Sequence, residues 1–226
     1  MESILEFREV VLEARHPYDV GLDRVSFSLA AGELLIVGVE KGHGRTPFPD
    51  AAEGLAEPDR GEVFFRGISW TGMSAGKSAA QRGTIGRVFE TGGWVSNLNI
   101  DENVTLSQRH HTLRPLEEIA EEADRRARGF GLPGLSAIRP AAAKRPERRA
   151  AEWVRAFLGE PALIILEHPM NDAYTSFLPA LGAAVEAARK RGAAVLWLTH
   201  DPMPPEAGIT SARGATLSGD RLLMRA

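Results

Sequence analysis

The chain contains no cysteine, which excludes a disulfide framework, a thiolate zinc site and a thiol nucleophile together. No apolar run approaches the roughly 20 residues that a bilayer-spanning helix needs, so any link to a membrane is expected to pass through a partner. An excess of one charge is also missing. The 27 Lys and Arg stand against 30 Asp and Glu, a formal net charge of -3, which offers nucleic acid no electrostatic footprint. The first residues, MESILEFREVVLEA, alternate apolar and charged side chains and lack the apolar core of a secretory leader. A cytosolic location is therefore expected. Internal repeats and low-complexity tracts are absent. What is present is ordinary globular material: 226 residues, 43% hydrophobic and 25% charged, enough for one sizeable core.

Continuous apolar runs at Leu34–Val37, Ala162–Leu166 and Ala194–Thr199 have the character of strands covered on both faces. Leu5–Leu12, Val25–Leu29 and Val63–Arg66 read as further strands. Phe177–Lys190 is alanine-rich, with Leu and Val spaced as on a helix face, and Gly192 follows it, which predicts a helix and its stop. Strand, helix and strand in that order make a βαβ unit. The middle of the chain differs. Residues 115–130, PLEEIAEEADRRARGF, place acidic residues first and basic residues last, as the helix dipole favours. Ala141–Leu158 is a second, arginine-rich helical segment. The expected organisation is one domain over 1–226, with a helical lobe at about 95–158 inserted into a mixed α/β core. The short stretch after Leu217–Met224 leads us to expect no long C-terminal extension.

After the buried run at 34–37 comes Gly38-Val-Glu-Lys-Gly-His-Gly-Arg-Thr46. A phosphate-binding loop uses glycines so that successive backbone N–H groups can wrap the phosphates at a helix N-terminus. It adds a Lys for the β/γ-phosphates and a Ser/Thr hydroxyl for magnesium. Gly42, Gly44 and Thr46 stand at the required spacing, whereas Arg45 replaces Lys, Val39 holds the first glycine position and Glu40 brings negative charge. A plain glycine-rich turn between strand and helix is the alternative. A second Gly-Lys-Ser, in Thr71-Gly-Met-Ser-Ala-Gly-Lys-Ser78, has no buried strand directly before it and reads as a solvent-exposed loop.

The segments that follow resemble those of ABC transporter ATPases, in order and in spacing. Glu53-Gly-Leu-Ala-Glu-Pro-Asp-Arg-Gly-Glu-Val63 looks like their "AGL..PD.GEV" stretch. Ile85-Gly-Arg-Val-Phe-Glu90 resembles the approach to the Q-loop, with Glu90 at the glutamine position. Leu163-Ile-Ile-Leu-Glu-His-Pro169 sits where "LLLLDEP" would, and Val195-Leu-Trp-Leu-Thr-His-Asp201 looks like the switch-histidine strand. The resemblance covers about Leu5 to Asp201. Thr91-Gly-Gly-Trp-Val-Ser-Asn-Leu-Asn-Ile-Asp-Glu-Asn-Val104 is similar in wording to the ATPase subunits of Mla-type (MCE-associated) lipid transporters.

This resemblance implies a P-loop NTPase fold of the ABC ATPase type, a cytoplasmic subunit peripheral on the inner membrane face, a permease partner and a second ABC-type subunit, itself or a paralogue. It also shows where the chemistry is degraded. The Walker B aspartate aligns with Glu167 and the catalytic glutamate with His168, which has a different reach and no carboxylate. Glu167 either supports a magnesium-bound water or is a solvated residue at a strand end. His200 keeps the switch position as a working contact or a relic of the fold. The "LSGGQ" signature falls on Ala143, Lys144, Arg145, Pro146 and Glu147, which lack the glycines that let a helix N-terminus approach ATP. There, Lys144, Arg145, Arg148 and Arg149 read as a solvated helix face. Tyr174 takes the D-loop aspartate position. His16 or Tyr18 would stack on adenine, and Trp94 is either a permease contact or a core residue. Gly42, Gly44, Arg45, Thr46, Glu90 and Glu167 are the candidate nucleotide contacts, with Thr46, Glu90 and Glu167 as magnesium ligands if ATP and magnesium bind at all. The leading expectation is a non-hydrolysing subunit, possible ATP binding included. An active ATPase with altered residues and a stand-alone interaction protein are the alternatives.

Overall fold

The computed structural model describes residues 3–225. Two sheets organise it. The first is antiparallel, with β2 (Leu22–Ala30), β1 (Ser3–Leu12), β4 (Arg60–Phe65) and β5 (Ile68–Ser69) in that order. The second runs β10 (Arg221–Met224), β9 (Arg213–Ser218), β3 (Leu34–Val39), β8 (Ala194–Thr199), β7 (Leu163–Glu167) and β6 (Ile85–Val88). Its strands are parallel except for the edge strand β10. This is the expected mixed core.

The continuous apolar character of β7 and β8 has a direct cause. Successive strand residues point to opposite faces, and here both faces are covered. Leu163, Ile165, Leu196 and Leu198 join one core, with β1, β2 and the ring cluster of Phe7, Phe27 and Phe48. Ile164, Leu166, Val195 and Trp197 join a second core, formed with the helices.

Among the described residues, six α-helices complete the fold: α1 (Phe48–Ala52), α2 (Ala75–Arg82), α3 (Ile100–His111), α4 (Leu116–Gly129), α5 (Arg145–Phe157) and α6 (Leu178–Lys190). Helices α3, α4 and α5 lie between β6 and β7 in sequence and meet through Ile119, Phe130, Trp153 and Phe157. The segment expected as a helix from Ala141 starts later. Pro140–Ala142 is a separate 3-10 turn, and α5 opens with Pro146 in its first turn, where the missing N–H has no helical partner to lose. Residues 71–78 are largely exposed, as expected, but only 71–74 form a turn; Ala75–Arg82 coils into α2, with Ser78 buried. Helix α3 falls within the expected helical lobe, although no separate helix is predicted there from the sequence. Its first turn carries Asp101 and Glu102, and Glu102 Oε2 accepts the Asn99 N–H at 2.7 Å, a capping arrangement that the residues 99–102 do announce.

Gly86 sets how the helices sit on the sheet. A Cβ there would lie 1.7 Å from the Ala156 carbonyl oxygen, so α5 rests on the bare backbone of β6. That close approach brings the charged face of α5 over residues 89–94, which follow β6.

Candidate functional site

The turn after β3 has the backbone expected of a glycine-rich cradle, with Gly42 and Gly44 both at φ +84°, a region that favours glycine. Its groups are engaged by the protein itself. The Arg45 N–H donates to Asp19 Oδ2 at 2.8 Å, and His43 Nε2 meets the Gly219 carbonyl at 2.7 Å. Lys41 Nζ pairs with Asp201 at 3.1 Å, and the Thr46 hydroxyl accepts the Phe48 N–H at 3.3 Å. The helix that follows, α1, runs only five residues and contains Pro49, with Pro47 at its N-cap.

Beside this turn lies a buried charge cluster. Arg87, in the middle of β6, has a side chain only 6% exposed and makes three ion pairs of 2.7 Å, to Asp50, Glu53 and Glu167. Burial works to lower its pKa, yet Glu167, Glu53 and Asp50 outweigh it and hold the guanidinium charged. Burial pushes the Glu53 and Glu167 carboxyls up, against the pull of Arg87. Asp50 also accepts from the Tyr18 hydroxyl at 2.7 Å and lies 3.7 Å from Arg45. The Tyr18 phenol is pushed up to about 12 by burial and by Asp50, so it remains a donor. The Arg45 guanidinium stands 5.5 Å over the Tyr18 ring. Between the two readings for adenine stacking, Tyr18 is thus committed to Asp50 and Arg45, while His16 is exposed.

Gly42, Gly44, Arg45, Thr46, Glu90, Glu167, His168 and His200 all line one cleft of about 370 Å³. The same cleft holds three carboxyl groups, Asp50, Glu90 and Glu167, against two guanidinium groups, Arg45 and Arg87. A site for a polyanion needs the opposite balance. The residues present do not fit a magnesium ion either. Glu167 is bound by a guanidinium at 2.7 Å, so a fixed positive charge already occupies the carboxylate's surroundings.

His168 and His200 stack with ring centroids 3.9 Å apart and 19° between planes. His200 Nδ1 meets the Val39 carbonyl at 3.0 Å. His168 Nδ1 is buried with no hydrogen-bond partner among the described residues, and burial, then His200 and Arg149, push its pKa down to about 4. A histidine depressed in the fold binds its proton more readily when unfolded. The stability it contributes is therefore fully present above the ordinary value near 6.5 and is lost as pH falls toward 4. The expected size of that loss is on the order of 3 kcal/mol, from the shift and its linkage. Proton NMR of the imidazole at neutral pH should find His168 neutral. A midpoint at 6 or above would contradict the packing described here.

The signature segment lies elsewhere. Lys144 and Arg145 are exposed, pairing at 3.5 Å with Glu147 and at 3.7 Å with Asp172. Arg149 corrects the reading of this face as solvated. Its side chain is 6% exposed. It donates to the carbonyls of Asn171, Phe89 and Glu90 at 2.9, 2.9 and 3.2 Å, and to Glu152 Oε2 at 2.6 Å. Glu152 also accepts from Trp94 Nε1 at 2.7 Å, and Arg155 donates to the Gly92 and Gly93 carbonyls at 2.8 and 3.0 Å. Trp94 is half-buried and tied to α5. Tyr174 is exposed, with its ring edge-on to Phe177 at 5.3 Å.

Sequence reasoning missed Asp19, Asp50, Glu53, Arg87 and Glu152. A signal existed for Arg87: a charged residue between apolar neighbours in Ile85-Gly-Arg-Val has to find partners.

No protein-family model matches the chain. Among curated proteins it is similar to the Escherichia coli (strain K12) intermembrane phospholipid transport system ATP-binding protein MlaF. The two are 26% identical over 147 residues, covering 65% of this chain and 55% of MlaF. It is also 25% identical over 208 residues to the uncharacterized ABC transporter ATP-binding protein YphE of the same organism, covering 88% of this chain and 40% of YphE. The chain thus spans about half the length of these relatives. Among solved structures, the ATP binding subunit of an ABC transporter matches with a TM-score of 0.81 and 22% identity, over 97% of this chain and 88% of the other. The dimeric bacterial ABC transporter cassette MJ0796 matches with a TM-score of 0.84 and 18% identity, over 96% of both chains. The chain has the α/β P-loop NTPase fold of an ABC transporter ATP-binding cassette.

Proposed function

We propose that this chain is a non-hydrolysing cassette subunit of a membrane ABC transporter. It works on the cytoplasmic face of the membrane, paired with a second ABC-type subunit and docked on a permease through the segment 89–94 and the helical lobe. The observation that carries the reading is Arg87. A covalently tethered cation, 2.7 Å from each of three carboxylates, engages Glu167, the carboxylate at the Walker B position, whereas hydrolysis needs an exchangeable metal on the phosphates. His168, neutral and turned to His200, supplies no carboxylate to orient water. The cargo in this reading is a lipid or phospholipid, supported by the likeness to MlaF.

The test is calorimetry of ATP with magnesium, alongside steady-state phosphate release, on the chain alone and with co-purifying subunits. Millimolar or absent binding, no release above background and a co-purified permease are expected. Micromolar, magnesium-dependent binding with turnover that Glu167→Gln abolishes would instead make the chain an active ATPase with altered residues.

A further inference from the structure

We propose that the trough between α3 and α4 is the docking site for an amphipathic helix of a partner protein, basic at one end and apolar at the other. The surface is separate from the segment 89–94, so this partner is additional to the permease.

The trough follows from residue spacing. Asp101, Thr105 and Arg109 recur every fourth residue on α3, and Leu116, Ala120 and Asp124 do so on α4, so each set forms one stripe. Together the stripes line a cavity of about 460 Å³. The connection through 112–115 is short, so the helices run antiparallel. Two adjacent residues fix one end: the Asp101 N–H donates to the Ser136 carbonyl at 3.3 Å, and Asp124 Oδ1 accepts the Leu135 N–H at 2.9 Å. The Thr105 hydroxyl turns back to the Asp101 carbonyl at 2.8 Å, which leaves the floor beside Ala120 apolar. Val104, Gln108 and His111, another stripe of α3, line a different cavity with Gly86 and Arg155.

The two ends differ. Asp101, Glu102, Glu121 and Asp124 line the trough against Arg109. The other cations near these carboxylates stand outside it: Arg139 is 4.0 Å from Glu102, Arg125 3.8 Å from Glu121 and Arg128 3.7 Å from Asp124. Such long, solvated pairs contribute little and yield to a better-placed cation. Asp101 Oδ1 is buried with no hydrogen-bond partner among the described residues, a costly position for a carboxylate without counter-charge. A lysine or arginine seated at this end supplies that charge. Toward the other end, Leu113 is fully exposed and Leu116 more than half exposed. Apolar side chains beside a groove between helices suit the apolar face of a third helix. From Asp101 to Arg109 the helical rise is about 12 Å, just over two turns. A small organic cation would satisfy the carboxylates and leave both leucines in water. The two ends together select a helix.

The experiment titrates the full chain with synthetic helices of about 14 residues that share a leucine stripe and carry either lysines or glutamates at one end. Leucine methyl NMR reports the site, with Leu113, Leu116 and Leu135 as probes and the buried Leu163 and Leu196 as controls. The basic helix should bind at least about tenfold more tightly than the acidic one and shift only the trough leucines. Glu121→Lys should weaken it about tenfold, and Ala120→Trp, an exposed position, should abolish binding by filling the floor. No binding at about 1 mM basic helix, equal binding of the two helices, or binding unchanged in both variants overturns the proposal. Spermidine producing the same leucine shifts at equal affinity would make the trough a small-cation site. Self-association of the chain that Ala120→Trp removes would make a second copy the occupant. Either of these results also overturns it. Glu121→Lys decides the matter if Ala120→Trp does not fold. None of these readouts depends on ATP or the permease, so failure here leaves the proposed function standing.

Discussion

Arg87→Met is expected to lower the unfolding free energy by about 3–5 kcal/mol, the range for removing one partner of a buried ion pair. The guanidinium is the shared counter-charge of Asp50, Glu53 and Glu167, each at 2.7 Å. Methionine fills the volume but leaves carboxylates facing one another inside the protein, with Arg45 3.7 Å from Asp50 and Arg82 and Arg155 near Glu53 as the remaining cations. Arg87→Lys should recover part of the loss, because an ammonium group is a point charge and cannot present three separate N–H edges.

The pH dependence gives this prediction its sign. Burial already raises the Glu53 and Glu167 carboxyls while Arg87 pulls them down, so the substitution pushes them further up. A carboxyl raised in the fold holds its proton more tightly there than in the unfolded chain. Its penalty is fully present above the raised folded pKa and disappears as pH falls toward the ordinary value. Urea titrations at pH 7.5 and pH 5.5 should therefore find the deficit of Arg87→Met smaller at the lower pH. A deficit that grows on acidification would mean that the three carboxylates are not what Arg87 stabilises.

Glu152→Ala should cost about 2–3 kcal/mol, less than the loss at Arg87 because Arg149 retains carbonyl partners when its carboxylate is gone. Glu152 is 2% exposed and accepts from both Arg149 and Trp94. Its removal leaves a buried guanidinium on the carbonyls of Phe89, Glu90 and Asn171, and a Trp94 N–H with no acceptor. The mechanical effect matters more for function. Residues 89–94 join β6 to the helical lobe, and Arg149, Glu152 and Arg155 tie them to α5. Amide exchange over 89–94 should accelerate in Glu152→Ala, with a red shift in Trp94 emission, while β7 and β8 stay protected. A uniform rise in exchange across the sheet would show global destabilisation and would remove the reason to treat α5 as a local brace. Glu152→Gln, which keeps an acceptor for Trp94, should exchange less in this segment than Glu152→Ala.

Much of the architecture was legible because it depends on neighbours in sequence. Apolar runs such as 163–166 and 194–198 must be covered on both faces, wherever the cover comes from, and a helix between two parallel strands has few ways to pack back. Helix α4 announced itself through its charge order, and the spacing of Gly42, Gly44 and Thr46 marked the turn. The ordering of these pieces was enough to point to an ABC-type fold.

Residue identity alone also located where this chain departs from the ABC ATPase pattern it resembles, at Arg45, His168 and the segment 143–147, whatever the fold does with them. Tertiary structure decided what those departures mean. Asp19 lies 26 residues from Arg45, and Glu167 lies 80 residues from Arg87; only the meeting of distant segments brings Asp19 to the Arg45 N–H and Glu167 to the Arg87 guanidinium, each within 3 Å. The same holds for Arg149, which composition places on a solvated face and packing places under the chain at 89–90. Periodicity reports which face of an element is apolar. The partner of a buried charge is selected by chain segments far apart in sequence, because an ionised group taken out of water persists only where opposite charge is brought to it.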